Sequence, residues 1–169
     1  GEEVIPIPII TNPIVGAYDV TKYGAKGDGV TDDRTALQTT IDAANAAGGG
    51  TVYVPDGRYM VSISTGVGLR MRSNVNLVLA PGAEIAAIRS TLSNSRVLHL
   101  SSVSNVEITG GHIIGDWEAR KPSTSEYGMG ISLYNARNVR IHDIKISECM
   151  GDGIYVSGNT DGNGGYSQN

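Results

Sequence analysis

The sequence predicts an all-β solenoid: a right-handed, single-stranded parallel β-helix with one N-terminal capping α-helix over about 35–47. Three observations predict it. A short phrase recurs as Ser73-Asn74-Val75-Asn76-Leu77, Ser104-Asn105-Val106-Glu107-Ile108 and Arg137-Asn138-Val139-Arg140-Ile141. Asn105 follows Asn74 by 31 residues and Asn138 follows Asn105 by 33, a period typical of stacked repeats. The composition is rich in glycine (23 of 169), lacks phenylalanine and is only 18% charged, which favours many turns between narrow aliphatic strands. A single stretch of helical periodicity stands ahead of the repeats, where an exposed solenoid end needs cover.

Residues 1–17 carry Pro6, Pro8 and Pro13 among Ile and Val, so they read as an extended arm rather than a helix. Tyr18 to Ala25 reads as a short strand, and Lys26-Gly27-Asp28-Gly29 as a turn. Thr31-Asp32-Asp33 offers N-cap oxygens and negative charge to a helix start. Leu37, Ile41 and Ala44 then mark one helical face, and Gly48-Gly49-Gly50 ends the helix. From Thr51 onward the pattern is strand, turn, strand, with Val52 and Val54 alternating, Pro55-Asp56-Gly57 turning and Arg58 to Val61 returning.

Each repeat then follows one recipe. A strand leads to a turn holding the Asn; a second strand such as Val106-Glu107-Ile108 follows; a polar or glycine turn leads to a third, such as His112-Ile113-Ile114. Three short strands per coil, with coils ~4.8 Å apart, make a parallel β-helix. Asn tolerates the left-handed backbone of a sharp bend. Asn74, Asn105 and Asn138 should therefore stack with their amides bonding along the solenoid, and Val75, Val106 and Val139 should stack inward beside them. A fourth copy falls due near Asn169, so the repeat predicts further coils after residue 169 and makes 18–169 the N-terminal portion of the β-helix domain.

The net charge of −4 argues against a nucleic-acid partner, which wants a basic face. No apolar run is long enough to span a membrane. A single cysteine, Cys149, cannot close an internal disulfide and reads as a small buried apolar group. Asp28, Asp32 and Asp33 lack the alternate spacing and distal Glu of a calcium loop, so they read as turn and cap residues. His99 and His112 fall in strands and read as packed or solvent-facing; His142, beside Asp143, reads as part of a polar outer face.

The run Tyr18-Asp19-Val20 to Asp33, then Ala36-Leu37-Gln38 with Ile41-Asp42-Ala43-Ala44, then Gly48-Gly49-Gly50-Thr51-Val52-Tyr53-Val54-Pro55, resembles the opening of the pectate-lyase-like superfamily. That group includes polygalacturonase-like glycosidases, rhamnogalacturonases, mannuronan epimerases and phage tailspike depolymerases. The resemblance implies the β-helix fold, a polysaccharide substrate, and a secreted or virion-surface setting.

Two segments carry the candidate chemistry: Gly110 to Lys121, and Glu148 to Val156. Aligning the strands places Ile131 with Ile154, Asp152 over Met129, Ile114 with Ile146, and Asp116 with Glu148. Asp116, Glu118, Glu126, Glu148 and Asp152 should then crowd one edge of two adjacent coils. Carboxylates one or two coil steps apart, roughly 5–10 Å, span the separations that glycosidases use. Asp152, Asp116 and Glu118 are the leading catalytic groups. Trp117 offers a flat face to a sugar ring, and Arg120 and Lys121 can hold an acidic sugar, with Glu126 and Glu148 lining the same edge. The structural reading of these residues is a solvated loop pinned by its Trp.

Met150-Gly151-Asp152-Gly153 resembles the Gly-Asp-Asp strand entry of polygalacturonase-like enzymes, with Gly153 at the second acid. Gly110-Gly111 to Trp117 resembles a stretch that is mainly structural in them. The expected function is glycoside hydrolysis without metal or other cofactor. One rival is a lyase, which needs a base, often Lys or Arg, so that Arg120 and Lys121 matter more, and in which a divalent cation such as calcium neutralises a uronate. The other is a non-catalytic glycan-binding tailspike or adhesin module, which would form a homotrimer.

Overall fold

The computed structural model describes residues 15–117 and 126–158; residues 1–14, most of the expected arm, lie outside them. Three parallel sheets run the length of the molecule, each taking one strand from each coil. Sheet A orders β1 (Tyr18–Asp19), β3 (Gly50–Val54), β6 (Val75–Leu79), β9 (Ser104–Thr109) and β12 (Arg137–His142). Sheet B orders β2 (Asp28–Asp32), β4 (Gly57–Ser62), β7 (Ala83–Ile88), β10 (His112–Ile114) and β13 (Lys145–Ser147). Sheet C orders β5 (Val67–Arg70), β8 (Asn94–Ser101), β11 (Tyr127–Tyr134) and β14 (Ile154–Ser157). Every pairing joins strands of neighbouring coils, which is the parallel β-helix that the repeat predicts.

The core is three ladders of apolar side chains. Val52, Leu77, Ile108 and Ile141 stack on sheet A. Tyr59, Ile85, Ile113 and Ile146 stack on sheet B, and Leu69, Leu98 and Ile131 on sheet C, where Ile154 continues the ladder but is exposed. Burying each such side chain contributes about 1.5–3 kcal/mol, so the ladders supply the main driving force.

The turn asparagines behave as expected. Asn74, Asn105 and Asn138 have φ of 63°, 59° and 50°, all left-handed. Asn105 Nδ2 donates to Asn74 Oδ1 at 2.9 Å, and Asn138 Nδ2 donates to Asn105 Oδ1 at 2.7 Å. Val75 and Val106 are buried beside them.

Helix α1 (Arg34–Ala46) buries Leu37, Thr40, Ile41 and Ala44 against the first coil. Polar side chains fasten it. Gln38 donates to Arg70 O and accepts from Arg70 N, Asn45 donates to Ser73 O, and Asp42 pairs with Arg72 at 2.7 Å. Its end is a Schellman turn: Gly48 sits at φ 94°, Gly48 N donates to Asn45 O and Gly49 N to Ala44 O.

Two expectations at the opening change. Val20–Tyr23 forms a 3-10 turn instead of continuing a strand, because Asp19 Oδ1 accepts from Thr21 N and Thr21 Oγ1. Asp33 occupies the N-cap position but makes no capping bond; its buried carboxylate accepts from Lys26 N at 2.7 Å and Gly27 N at 2.9 Å. It thereby holds the Lys26–Gly27 turn against the coil. Asp28 opens the bulged strand β2 instead of lying wholly in a turn; its carboxylate accepts from Val30 N, Thr31 N and Thr31 Oγ1, and these donors lower it to about 2. No described helix is long and apolar enough to cross a membrane.

Candidate functional site

The two segments singled out in the sequence do lie on one another. β10 pairs with β13, and the connections that follow stay in contact: Gly115 N donates to Ser147 O and Trp117 N to Glu148 O, both at 2.9 Å. The register, however, differs by one residue from the alignment. Ile113, not Ile114, lies opposite Ile146, and Ile114 lies opposite Ser147. Gly115 therefore sits against Glu148, where a Cβ would come 2.2 Å from Glu148 O. A one-residue shift exchanges inward and outward faces. Glu148 turns through a left-handed φ of 55° and is exposed, whereas Asp116 is buried.

Asp116 is engaged. Its Oδ2 accepts from Ser90 N at 2.9 Å, and Ser90 Oγ accepts from Leu92 N at 3.1 Å. The carboxylate thus ties the β10–β11 connection to the β7–β8 connection in the coil beneath. Trp117, half-buried, follows directly.

On sheet C the expected register holds: Ile131 lies opposite Ile154, which sets Asp152 beside Met129 one coil on. Gly130 N donates to Asp152 O at 3.3 Å, and Gly151 N to Gly128 O at 2.9 Å. Glycine is required where the coils approach: a Cβ on Gly151 would meet Glu126 O at 1.9 Å, and one on Gly130 would meet Ile146 Cγ2 at 2.5 Å. Asp152 and Glu126 are both exposed. Cys149 is half-buried; burial raises its thiol to about 11, and its Sγ donates to Ser147 O.

Asp116, Trp117 and Glu148 are therefore brought together, Asp152 follows Glu148 by four residues, and the Glu126 carbonyl packs on Gly151. Glu118, Arg120 and Lys121 lie outside the described residues. Among the described residues no group of three or more His, Cys, Asp or Glu is placed to hold a metal ion.

The histidines sit on outer faces. His112 Nε2 is 2.7 Å from Ser147 Oγ, and His142 lies between Glu107 Oε1 and Asp143 Oδ2, each at 2.7 Å. The sequence reading missed a basic group on sheet C. His99 lies directly over Arg70 in the register, and Arg96 precedes it in the same strand. The only signal for it was the coil period applied to Arg and His.

The model of the family described as rhamnogalacturonase A/epimerase, pectate lyase-like, matches residues 17–114, more than half of the chain. The chain belongs to that family. Among relatives, mannuronan C5-epimerase AlgE3 of Azotobacter vinelandii is 50% identical over 151 residues, covering 82% of this chain and 8% of the epimerase. YclG of Bacillus subtilis (strain 168) is 30% identical over 150 residues, covering 80% of this chain and 26% of that protein. The chain thus spans about a quarter or less of the length of these relatives. An iota-carrageenase solved in complex with iota-carrageenan fragments superposes with a TM-score of 0.68 at 25% identity, over 86% of this chain and 32% of the carrageenase. The rhamnogalacturonase/epimerase family match runs from β1 through α1 to the end of β10, and it includes residues 18–55, which carry the opening resemblance.

Proposed function

We propose that this pectate-lyase-like chain forms the first coils of a polysaccharide-modifying enzyme acting outside the cell or on a virion, and that its reaction is glycoside hydrolysis. The observation that carries the reading is the contact of the β10–β11 connection with the β13–β14 connection, through Trp117 N and Glu148 O. It supports the reading because it sets the segment after β10 on the segment after β13, and coil steps of ~4.8 Å suit the ~5–9.5 Å spacing of glycosidase carboxyls. Asp152 is the leading acid or base because it faces solvent. Glu118, four residues after Ile114 in the sequence, is its proposed partner. Asp116, committed to Ser90 N, serves as a positioning residue. Trp117, Arg120, Lys121, Glu126 and Glu148 supply sugar contacts.

A second reading is favoured by the 50% identity to a mannuronan C5-epimerase. Epimerisation and lysis both begin with removal of the proton next to a uronate carboxyl, so a base, not an acid pair, would be decisive. The test incubates the protein carrying this chain with mannuronan and with iota-carrageenan. Hydrolysis releases reducing ends without ultraviolet absorbance; lysis releases both; epimerisation releases neither but changes the NMR signals of the uronates. Hydrolysis is expected, with Asp152→Asn reducing turnover at least about 100-fold. Turnover that survives Asp152→Asn and Glu118→Gln together overturns the site assignment.

A further inference from the structure

We infer that the outer face of sheet C around Arg70, Arg96 and His99 is a subsite for the acid groups of an anionic glycan. The inference rests on the polysaccharide reading above. Arg70 ends β5 and is exposed; His99 lies directly over it in β8, and Ser132 directly over His99 in β11. His99 Nδ1 is 2.7 Å from Ser132 Oγ, which fixes the ring and leaves Nε2 free to face outward. Arg96 lies three residues before His99. One of its terminal nitrogens donates to Asn94 Oδ1, but its Nε is buried with no hydrogen-bond partner.

This grouping is unfavourable on its own. Burial lowers the affinity of Arg96 and His99 for their protons, and the neighbouring charges lower it further: Arg70 acts on Arg96, and both arginines act on His99. Among the described residues no carboxylate pairs with Arg70 or Arg96, whereas Arg58 and Arg72 both have acid partners. Two guanidiniums and an imidazole held together with no carboxylate partner among the described residues, Arg70 exposed and Arg96 and His99 half-buried, are arranged to receive an anion.

The same face leads to the proposed reaction site. Arg96, Met129 and Asp152 occupy successive coils of sheet C at matching positions, so the basic group and Asp152 are separated by two coil steps, ~10 Å. A chain of acidic sugars lying along the solenoid axis would place one acid group on Arg70 and Arg96 while a neighbouring unit reaches Asp152. The fork of a guanidinium fits a uronate carboxylate or a sulfate ester, and the shared requirement is a fixed anionic oxygen pair.

The test titrates mannuronan, iota-carrageenan and neutral dextran oligosaccharides against the protein by calorimetry, at two salt concentrations. The wild type is expected to bind one or both anionic glycans, more weakly at high salt, and to leave dextran unbound. Arg70→Gln and Arg96→Gln should each weaken binding about tenfold, the scale of one charge-assisted pair. Arg96→Lys covers the case in which Arg96→Gln does not fold, and should retain part of the affinity. Arg137→Gln, an exposed arginine on sheet A, should change nothing. Tightest binding to mannuronan identifies a uronate and tightest binding to carrageenan a sulfate. Unchanged binding in both Arg70→Gln and Arg96→Lys, an equal loss in Arg137→Gln, or no anionic binding by the wild type overturns the subsite. Glycan binding that needs Arg70 and Arg96 but comes without turnover retains the subsite and rejects the hydrolase reading; turnover indifferent to them does the reverse.

Discussion

The side-chain amide of Asn105 sits between those of two neighbouring coils, donating to Asn74 Oδ1 at 2.9 Å while its own Oδ1 accepts from Asn138. The same residue has a left-handed backbone, φ 59°. One side chain thus does two jobs: it permits the bend between sheets and ties three coils. Asn105→Ala should lose about 2–3 kcal/mol, combining left-handed strain of ~1–2 kcal/mol with two exposed hydrogen bonds. Asn105→Gly relieves the strain but not the lost bonds, and should cost about half as much. Urea unfolding of the two variants checks the division, and equal losses would remove the strain contribution.

Gly115 reports the register of the last two described coils. Its Cα carries no side chain because Glu148 O occupies the space, 2.2 Å from where a Cβ would stand. Gly115→Ala should destabilise by about 1–3 kcal/mol, the usual cost of forcing an atom into a packed contact. Gly24→Ala is the comparison: nothing lies within 4 Å of its Cβ, and only its φ of 98° is penalised. A thermal melt in which Gly115→Ala is neutral would contradict the pairing of Ile113 with Ile146.

Asp33 is a buried carboxylate with two backbone donors, Lys26 N and Gly27 N. Removing it leaves both donors unsatisfied beside the packed Tyr59 ring, against which a Gly27 Cβ would stand at 2.8 Å. Asp33→Ala should cost about 2–4 kcal/mol, and Asp33→Asn less, since one amide oxygen still accepts. Hydrogen exchange at the Lys26 and Gly27 amides gives the readout: both should lose protection in the alanine variant.

His142 is held between Asp143 and Glu107, and these two hydrogen bonds raise it above its ordinary value of 6.5. The charged ring is favoured in the folded chain. Its contribution is fully present below pH 6.5 and fades as pH rises through the higher folded value. An NMR titration should show His142 losing its proton above pH 6.5, and Asp143→Asn or Glu107→Gln should each bring that midpoint down. His99, lowered by burial and by Arg96 and Arg70, should titrate on the other side of the ordinary value in the same experiment.

Much of this architecture was legible in the residues themselves. Asn74, Asn105 and Asn138 announce bends because Asn accepts positive φ, and their spacing sets the length of a coil. Leu37, Ile41 and Ala44 announce the cap because their spacing puts them on one face. The candidate site was legible only as a neighbourhood. Asp116 and Glu148 are both near the edge, but one is buried on Ser90 and the other turned to solvent, and the alignment that set them side by side was one residue out.

Local backbone preference is carried by each residue type, so the sequence alone determined the coil, its turns and its capping helix. Which side chains meet across coils depends on how many residues each turn consumes, and Glu148 consumes one in a left-handed step that its residue type does not advertise. The tertiary structure alone decided the burial of Asp116, the inward turn of Asp33 and the gathering of Arg70, Arg96 and His99, because those depend on contacts between residues a coil or more apart.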